Sequence, residues 1–216
     1  MNKNYNVSAA RLKREKEYRQ DSILKAAKKV FFKEGYGRST MDAIAKCAEI
    51  TKPTVYQYFK SKDELFFSLM LPVIDSVTAR LEEIKTDVSI KQITSIDELF
   101  NRLYKELYSI YLADQDSFEI ILLFQQQYSL VMELREERRL IIISKVKLFY
   151  TRFRELITIS VVNNLMKPVD VYQITDLLWI NFSGIIQMKA YKPNADQHIK
   201  DMLELSKQAI IHYLKI

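Results

Sequence analysis

Three glycines and four prolines in 216 residues leave this chain little material for tight turns. Hairpins and sandwiches need glycine or asparagine at the positive-φ positions of their turns. Glycine-rich loops that cradle phosphate are excluded by the same shortage. What remains is helix. From Asp21 the apolar residues Ile23, Ala26, Ala27, Val30 and Phe31 follow three- and four-residue steps, and Gly35 stands where a helix end favours a left-handed residue. The chain is therefore expected to be all-α.

Two short segments and a longer one follow that first helix. Thr40 can cap "MDAIAKCA", in which Ile44 and Ala48 share a face. Glu49 and Ile50 make a tight connection, and Thr51 can cap a third helix with Pro53 in its first turn, where a missing N–H costs nothing. Ser61 caps a fourth helix from Lys62, with Pro72 as a kink or early end. Val55 and Phe59 point inward, so Lys52, Thr54, Tyr56 and Tyr58 project outward from the third helix. Two short helices joined by about three residues, the second polar and aromatic outside, form a helix-turn-helix whose second helix fits the major groove. Lysines and tyrosine hydroxyls there reach phosphates, and threonine can meet base edges.

Charge supports the same division. Residues 1–62 carry 15 Lys/Arg against 6 Asp/Glu, whereas residues 63–216 carry 18 against 21. A basic head on a near-neutral remainder is the footprint of a nucleic-acid module joined to another domain. "RLKREKEYR", residues 11–19, reads either as an arm reaching the minor groove or as the solvated start of the first helix.

The stretch "STMDAIAKCAEITKPTVYQYFKSKDELF", residues 39–66, resembles the DNA-binding segment of the tetracycline-repressor (TetR) family of bacterial regulators, and "ILKAAKKVFFKEGYGRST" is similar to that family's first helix and following link. The resemblance covers roughly residues 18–70. It implies a phosphate contact for the capping Thr40, base contacts for Lys52, Pro53 and Thr54, and backbone contacts for Tyr56, Tyr58 and Lys62, with Thr51 on the same outer face. One departure stands out: the family has glycine at the turn where this chain has Glu49. A side chain forced to positive φ costs on the order of 1 kcal/mol.

Beyond Phe66, segments near 93–113, 116–128, 131–163, 171–191 and 196–215 read as helices, broken by "LADQD", "NNLMKPVD" and "YKPNAD". With the first four, that makes about nine, the plan the resemblance implies. The expected domains are residues 1–64, a helix-turn-helix DNA-binding domain with a basic N-terminal arm, and residues 65–216, a larger helical ligand-binding and dimerisation domain. The last two segments are each apolar on two faces. In 196–215 these are Ile199, Leu203 and Ile210, then Met202, Leu205, Ala209 and Tyr213. In 171–191 they are Ile174, Leu178, Ile185 and Met188, then Trp179, Phe182 and Ile186. A helix apolar on two sides must be covered on two sides, so a four-helix homodimer interface is expected, with Ile174, Leu178, Ile185, Leu203 and Ile210 as candidates. Tyr104, Tyr108, Tyr111, Phe149, Phe153, Trp179 and Phe182 recur at helical spacing and are candidate walls of a small-molecule pocket, or simply core.

Enzyme chemistry finds no support. His198 and His212 are the only histidines, and no spacing suggests a metal or a cofactor. Cys47, the single cysteine, cannot form an internal disulfide, which fits a reducing compartment, and between Ala45 and Ala48 it reads as a small core residue rather than a redox sensor. A basic N-terminus without an apolar core, and no apolar run near ~18 residues, point to the cytoplasm rather than a membrane. The expected function is a homodimeric transcriptional repressor that binds a palindromic operator on double-stranded DNA and is released by a small-molecule effector. An activator on the same fold, or a helical ligand-binding or scaffolding dimer whose head lacks specific DNA binding, are the alternatives.

Overall fold

Every regular element among the described residues is a helix. The computed structural model describes residues 3–126, 128–190 and 196–215, and among these there is no strand. The chain runs α1 (Lys3–Glu34), α2 (Met41–Cys47), α3 (Lys52–Tyr58), α4 (Lys62–Ser68), α5 (Leu71–Ser89), α6 (Ile96–Ala113), α7 (Gln115–Gln126), α8 (Tyr128–Met132), α9 (Glu136–Val162), α10 (Val171–Gln187), a 3-10 turn (Met188–Ala190) and α11 (Asp196–Leu214).

Two compact units result. The first comprises Met1–Met70 with Gln127–Leu140, and the second Leu71–Gln126 with Ile141–Ile216. This division runs at 70/71, whereas a boundary at 64/65 would cut through α4. Residues 127–140, distant in sequence, join the first unit.

In the first unit α1 packs on α2 and α4, and α2 packs on α3. The apolar positions of α1 (Ile23, Ala26, Ala27, Val30 and Phe31) are all buried, together with Ile44, Val55 and Phe59. Gly35 ends α1 at φ 83°, its N–H donating to the Phe31 carbonyl at 2.9 Å. Thr40, Thr51 and Ser61 cap α2, α3 and α4, accepting from the backbone N–H three residues on. Each such cap contributes about 1 kcal/mol. Cys47, the last residue of α2, is exposed, contrary to its reading as a core residue. The stretch 11–19 is the solvated part of α1 rather than a separate arm.

The second unit is built from α5, α6, α7, α10, α11 and most of α9, with α6 packed on α5, α7 and α11, and α10 on α7 and α11. Ser95 and Asp170 cap α6 and α10. Eleven α-helices among the described residues exceed the expected nine for two reasons. The expected fourth helix stops at Ser68, and Pro72 then sits in the first turn of α5, where its missing N–H is harmless, rather than kinking one long helix. The expected 131–163 helix begins only at Glu136, and α8 precedes it as a separate turn. Of the expected break at 191–196, residues 191–195 lie outside the described residues.

Glu49 adopts φ 55°, a left-handed conformation that glycine takes at least cost. Its N–H donates to the Lys46 carbonyl, and the Ile50 N–H to the Ala45 carbonyl at 3.0 Å, closing the end of α2. The geometry of the turn is kept and the strain is accepted. Glu49→Gly is therefore expected to raise stability by up to about 1 kcal/mol, read as an increased urea midpoint. An unchanged or lower midpoint would show that the turn stores no strain.

Candidate nucleic-acid interface

Helix α3 has only seven residues, too few to persist alone, so its orientation depends on what holds it. Val55 and Phe59 are fully buried and anchor its inner side. Burial of side chains of this size contributes roughly 1.5–3 kcal/mol each. At its N-terminus, Thr51 Oγ1 lies 2.8 Å from Thr54 Oγ1 and accepts from the Thr54 N–H.

Its C-terminal end is held from residues 127–140. Arg138, itself buried, donates from Nη2 to the Tyr58 carbonyl at 3.2 Å and lies 4.8 Å over the Phe59 ring. Burial lowers the pKa of this guanidinium, partly offset by Glu64 nearby. Glu64, 1% exposed, accepts from the Lys60 N–H at 2.5 Å and from Arg135 Nε at 3.0 Å. One carboxylate thus closes the α3–α4 link and ties it to Arg135. Neither arginine was identifiable from sequence, because both stand more than 70 residues from the groups they hold.

The remaining candidates divide into presented and engaged side chains. Tyr56 and Pro53 are exposed, and so is Gln57, an amide on the outer side of α3 that sequence reasoning passed over. Thr54 and Tyr58 are half-buried. Lys52 is exposed but its Nζ sits 2.6 Å from Asp42 Oδ2, which raises its pKa through that hydrogen bond and charge. Thr40 and Thr51 are exposed caps. Lys62 points inward: its Nζ donates to the carbonyls of Tyr36 at 2.8 Å and Ser39 at 3.3 Å and lies 4.3 Å over the Tyr36 ring. Tyr36 in turn donates to Asp63, and burial first, then Asp63, raises its pKa. Lys62 thus fixes the link after α1, which leaves at most one of its three N–H groups for an outside partner.

In the second unit, the expected pocket aromatics form a chain of touching rings. Tyr104 meets Phe182, Phe182 meets Phe118 and Trp179, and Trp179 meets Phe149 at 4.9 Å. Tyr111 meets Phe118 and Tyr108, and Phe149 meets Phe153. Most of the set is core. Only Phe149 and Trp179 line the apolar cavity of about 80 Å³, whose other walls are Ile74, Val77, Ile121, Phe124 and Val146, with Gln125 and Tyr150 as polar members. Phe153 and Phe182 are fully buried in packing beside it, and Tyr104, Tyr108 and Tyr111 border other, open clefts.

The interface candidates need the same correction. Ile174, Leu178, Ile185, Leu203 and Ile210 are all buried within their own unit, as are Trp179, Phe182 and Ile186. What α10 leaves outside is a third stripe, Leu177 and Ile180, and what α11 leaves outside is its second face, with Leu205 and Tyr213.

A model of the family described as bacterial regulatory proteins, tetR family, matches residues 23–69, which hold α2, α3 and α4 and the C-terminal part of α1 from Ile23. The uncharacterized HTH-type transcriptional regulator YfiR of Bacillus subtilis is 26% identical over 196 residues, 90% of this chain and 91% of that protein. Among solved structures, the TetR family transcriptional regulator PfmR of Thermus thermophilus superposes with a TM-score of 0.66 at 18% identity, covering 88% of this chain and 97% of that one. The transcriptional regulator FadR of Bacillus subtilis, in complex with stearoyl-CoA, superposes with a TM-score of 0.62 at 21% identity, covering 86% and 96%.

The clamp on α3 makes a stability prediction of its own. Glu64→Ala removes the acceptor for the part-buried Lys60 N–H and one of the two carboxylate partners of Arg135, the other being Glu137. The head is expected to lose about 1–3 kcal/mol in urea unfolding, because a donor is left without an acceptor. A change within a few tenths would show that solvent replaces the carboxylate at no cost.

Proposed function

We propose that this chain, which belongs to the tetR family of bacterial regulatory proteins, represses transcription as a homodimer on a palindromic operator and is released when a small molecule enters its second unit. As a family member it is a DNA-binding transcriptional regulator and not an enzyme. No helix among the described residues is long and apolar enough to cross a membrane, and the proposed site of action is the bacterial cytoplasm.

The observation that carries the reading is the outer face of α3. A seven-residue helix with caps, two buried anchors and two arginines behind it nonetheless leaves Lys52, Pro53, Tyr56 and Gln57 outside. A head that had stopped recognising DNA would have no use for such a mounting. Lys52 and Thr54 meet base edges in this proposal, while Tyr56, Tyr58 and the caps Thr40 and Thr51 hold phosphates. Lys52 must exchange Asp42 for its base, and Lys62 acts chiefly by shaping the head.

Lys52→Ala or Thr54→Ala should relax sequence preference, at about 1–3 kcal/mol per lost base contact, and Tyr56→Phe should weaken all sequences alike. A gel-shift titration on an operator selected from random duplexes reads both effects. Unchanged affinity in the triple alanine variant of Lys52, Thr54 and Tyr56 would defeat the assignment.

A homodimer suits the exposed stripes of α10 and α11, where Ile180 is 66% and Leu205 65% exposed. A second copy presenting the same stripes would cover them by two-fold pairing, and two heads would then read two half-sites one helical turn apart. Ile180→Glu or Leu205→Glu is expected to give folded monomers in sedimentation, with operator affinity lost. Leu203→Glu, which strikes the core instead, is expected to unfold the body. A folded wild-type monomer at micromolar concentration would exclude the dimer.

Effector release needs a ligand that prefers one conformation of the protein over the one DNA prefers. Helix α9 begins in the first unit at Glu136 and ends in the second at Val162, so a change around its later residues has an unbroken helix through which to reach Arg138.

A further inference from the structure

Arg154, in the second unit, is held by aromatic rings rather than by a carboxylate. It borders an open groove of about 650 Å³ together with Lys85, Thr151, Glu155 and Thr158. Lys85 and Glu155 pair with each other at 2.9 Å, Lys85 also with Glu82, and Glu155 also with Arg152. Arg154 has no ion pair or hydrogen bond from its guanidinium among the described residues, and its Nε is buried without a partner. What it has is aromatic support: the guanidinium carbon lies 4.3 Å over the Tyr172 ring and 5.4 Å from the Tyr150 centroid. Rings hold a guanidinium in place by its flat face and leave its edge N–H groups free to donate.

Tyr150 joins this charge to the cavity. It stands one turn before Arg154 on α9 and is also part of the wall of the apolar cavity beside Trp179. A cavity of about 80 Å³ holds several water-sized volumes, at about 10–15 Å³ each, and apolar walls of this kind favour hydrocarbon over water. Burial, then Asp176, raises the Tyr150 pKa, so its hydroxyl stays neutral and can donate toward an anion. Asp176, the nearby carboxylate that acts on Tyr150, makes no ion pair with Arg154 among the described residues.

We propose that Arg154 is the anion anchor of the effector site, which takes an amphiphile with a short hydrocarbon segment against Trp179 and a carboxylate or phosphate head on the Arg154 guanidinium. This rests on the reading that the second unit senses a small molecule, and it supplies the chemical class. A guanidinium already held flat loses little freedom on binding and offers paired N–H donors that suit both kinds of head. Tyr150, shared by the two regions, sets how the tail and the head are joined.

Trp179 is the sole tryptophan, so its fluorescence reports the cavity directly. Octanoate, octyl phosphate and octanol are titrated into the intact protein without DNA. The anions are expected to bind at least about tenfold more tightly than octanol, the difference a charge-assisted pair gives, and the stronger of the two identifies the head group. Arg154→Met keeps the stem and removes the charge, and should bring both anions to the level of octanol while octanol is unchanged. Arg154→Lys, which keeps the charge without the fork, should retain part of the preference and serves if the Met variant does not fold. Octanol equal to the anions, equal loss for all three in Arg154→Met, or no binding by any of them overturns the proposal. Operator affinity is measured separately by gel shift. Intact operator binding alongside failed amphiphile binding would sink this inference alone and leave the DNA-binding reading standing.

Discussion

A seven-residue recognition helix cannot hold its own shape, and much of the first unit exists to hold it. Closing a first helical turn fixes several dihedrals for a single hydrogen bond, so a helix of this length persists only through tertiary contacts. Here the contacts come from three directions. Val55 and Phe59 sink into the core, Thr51 closes the N-terminus, and Arg138 takes the Tyr58 carbonyl that the helix end leaves open. Glu64 then fixes the next backbone N–H, that of Lys60, so the connection into α4 is as constrained as the helix. Pre-ordering of this kind lowers the conformational cost of docking on DNA, which is where the stability spent on Glu49 and on the buried Arg138 finds its use.

Much of the head was legible because its determinants are local. A cap and the N–H it satisfies lie three residues apart, so Thr40, Thr51 and Ser61 could be read directly, as could the inward pair Val55 and Phe59 at a spacing of four. The Glu49 strain was legible for the same reason, since only the turn geometry had to be known. Lys62 was misjudged in its emphasis because its partners, the carbonyls of Tyr36 and Ser39, lie more than 20 residues back, and backbone acceptors leave no mark in a sequence. Arg135 and Arg138 were invisible because nothing in "ELREERR" distinguishes a buried guanidinium from a solvated one.

The second unit shows the limit of periodicity more sharply. Spacing identifies which residues share a face of a helix but not what covers that face. On α10 both faces chosen from sequence proved to be core, and the stripe left outside, Leu177 and Ile180, belonged to neither. On α11 spacing separated the two faces but could not say which is covered within the chain: Ile199, Leu203 and Ile210 are buried, and Leu205 and Tyr213 are left outside. The aromatic residues met the same difficulty: seven rings at helical spacing make one connected cluster, and only Phe149 and Trp179 border its cavity. Tyr150, which with Gln125 gives that cavity its polar members, stands next to Phe149 and was hidden beside it.

The distribution of charge in the head changes what its net value means. Residues 1–62 are strongly basic, yet two of the lysines nearest the recognition helix are engaged within the protein. Lys52 is paired with Asp42, and Lys62 is folded onto Tyr36. An internally paired lysine contributes to DNA affinity only the difference between its two partners, so counting charges overstates the phosphate term. In the proposed complex, binding then leans more on neutral groups that α3 leaves outside, the Tyr56 hydroxyl and the Gln57 amide, and on the capped N-termini of α2 and α3. Such groups release few counterions, and their energy depends on geometry rather than on charge. If the proposed contacts hold, a head built this way would discriminate between sequences more than it gathers onto DNA in general, because Lys52 and Lys62 must leave internal partners before they can serve the groove.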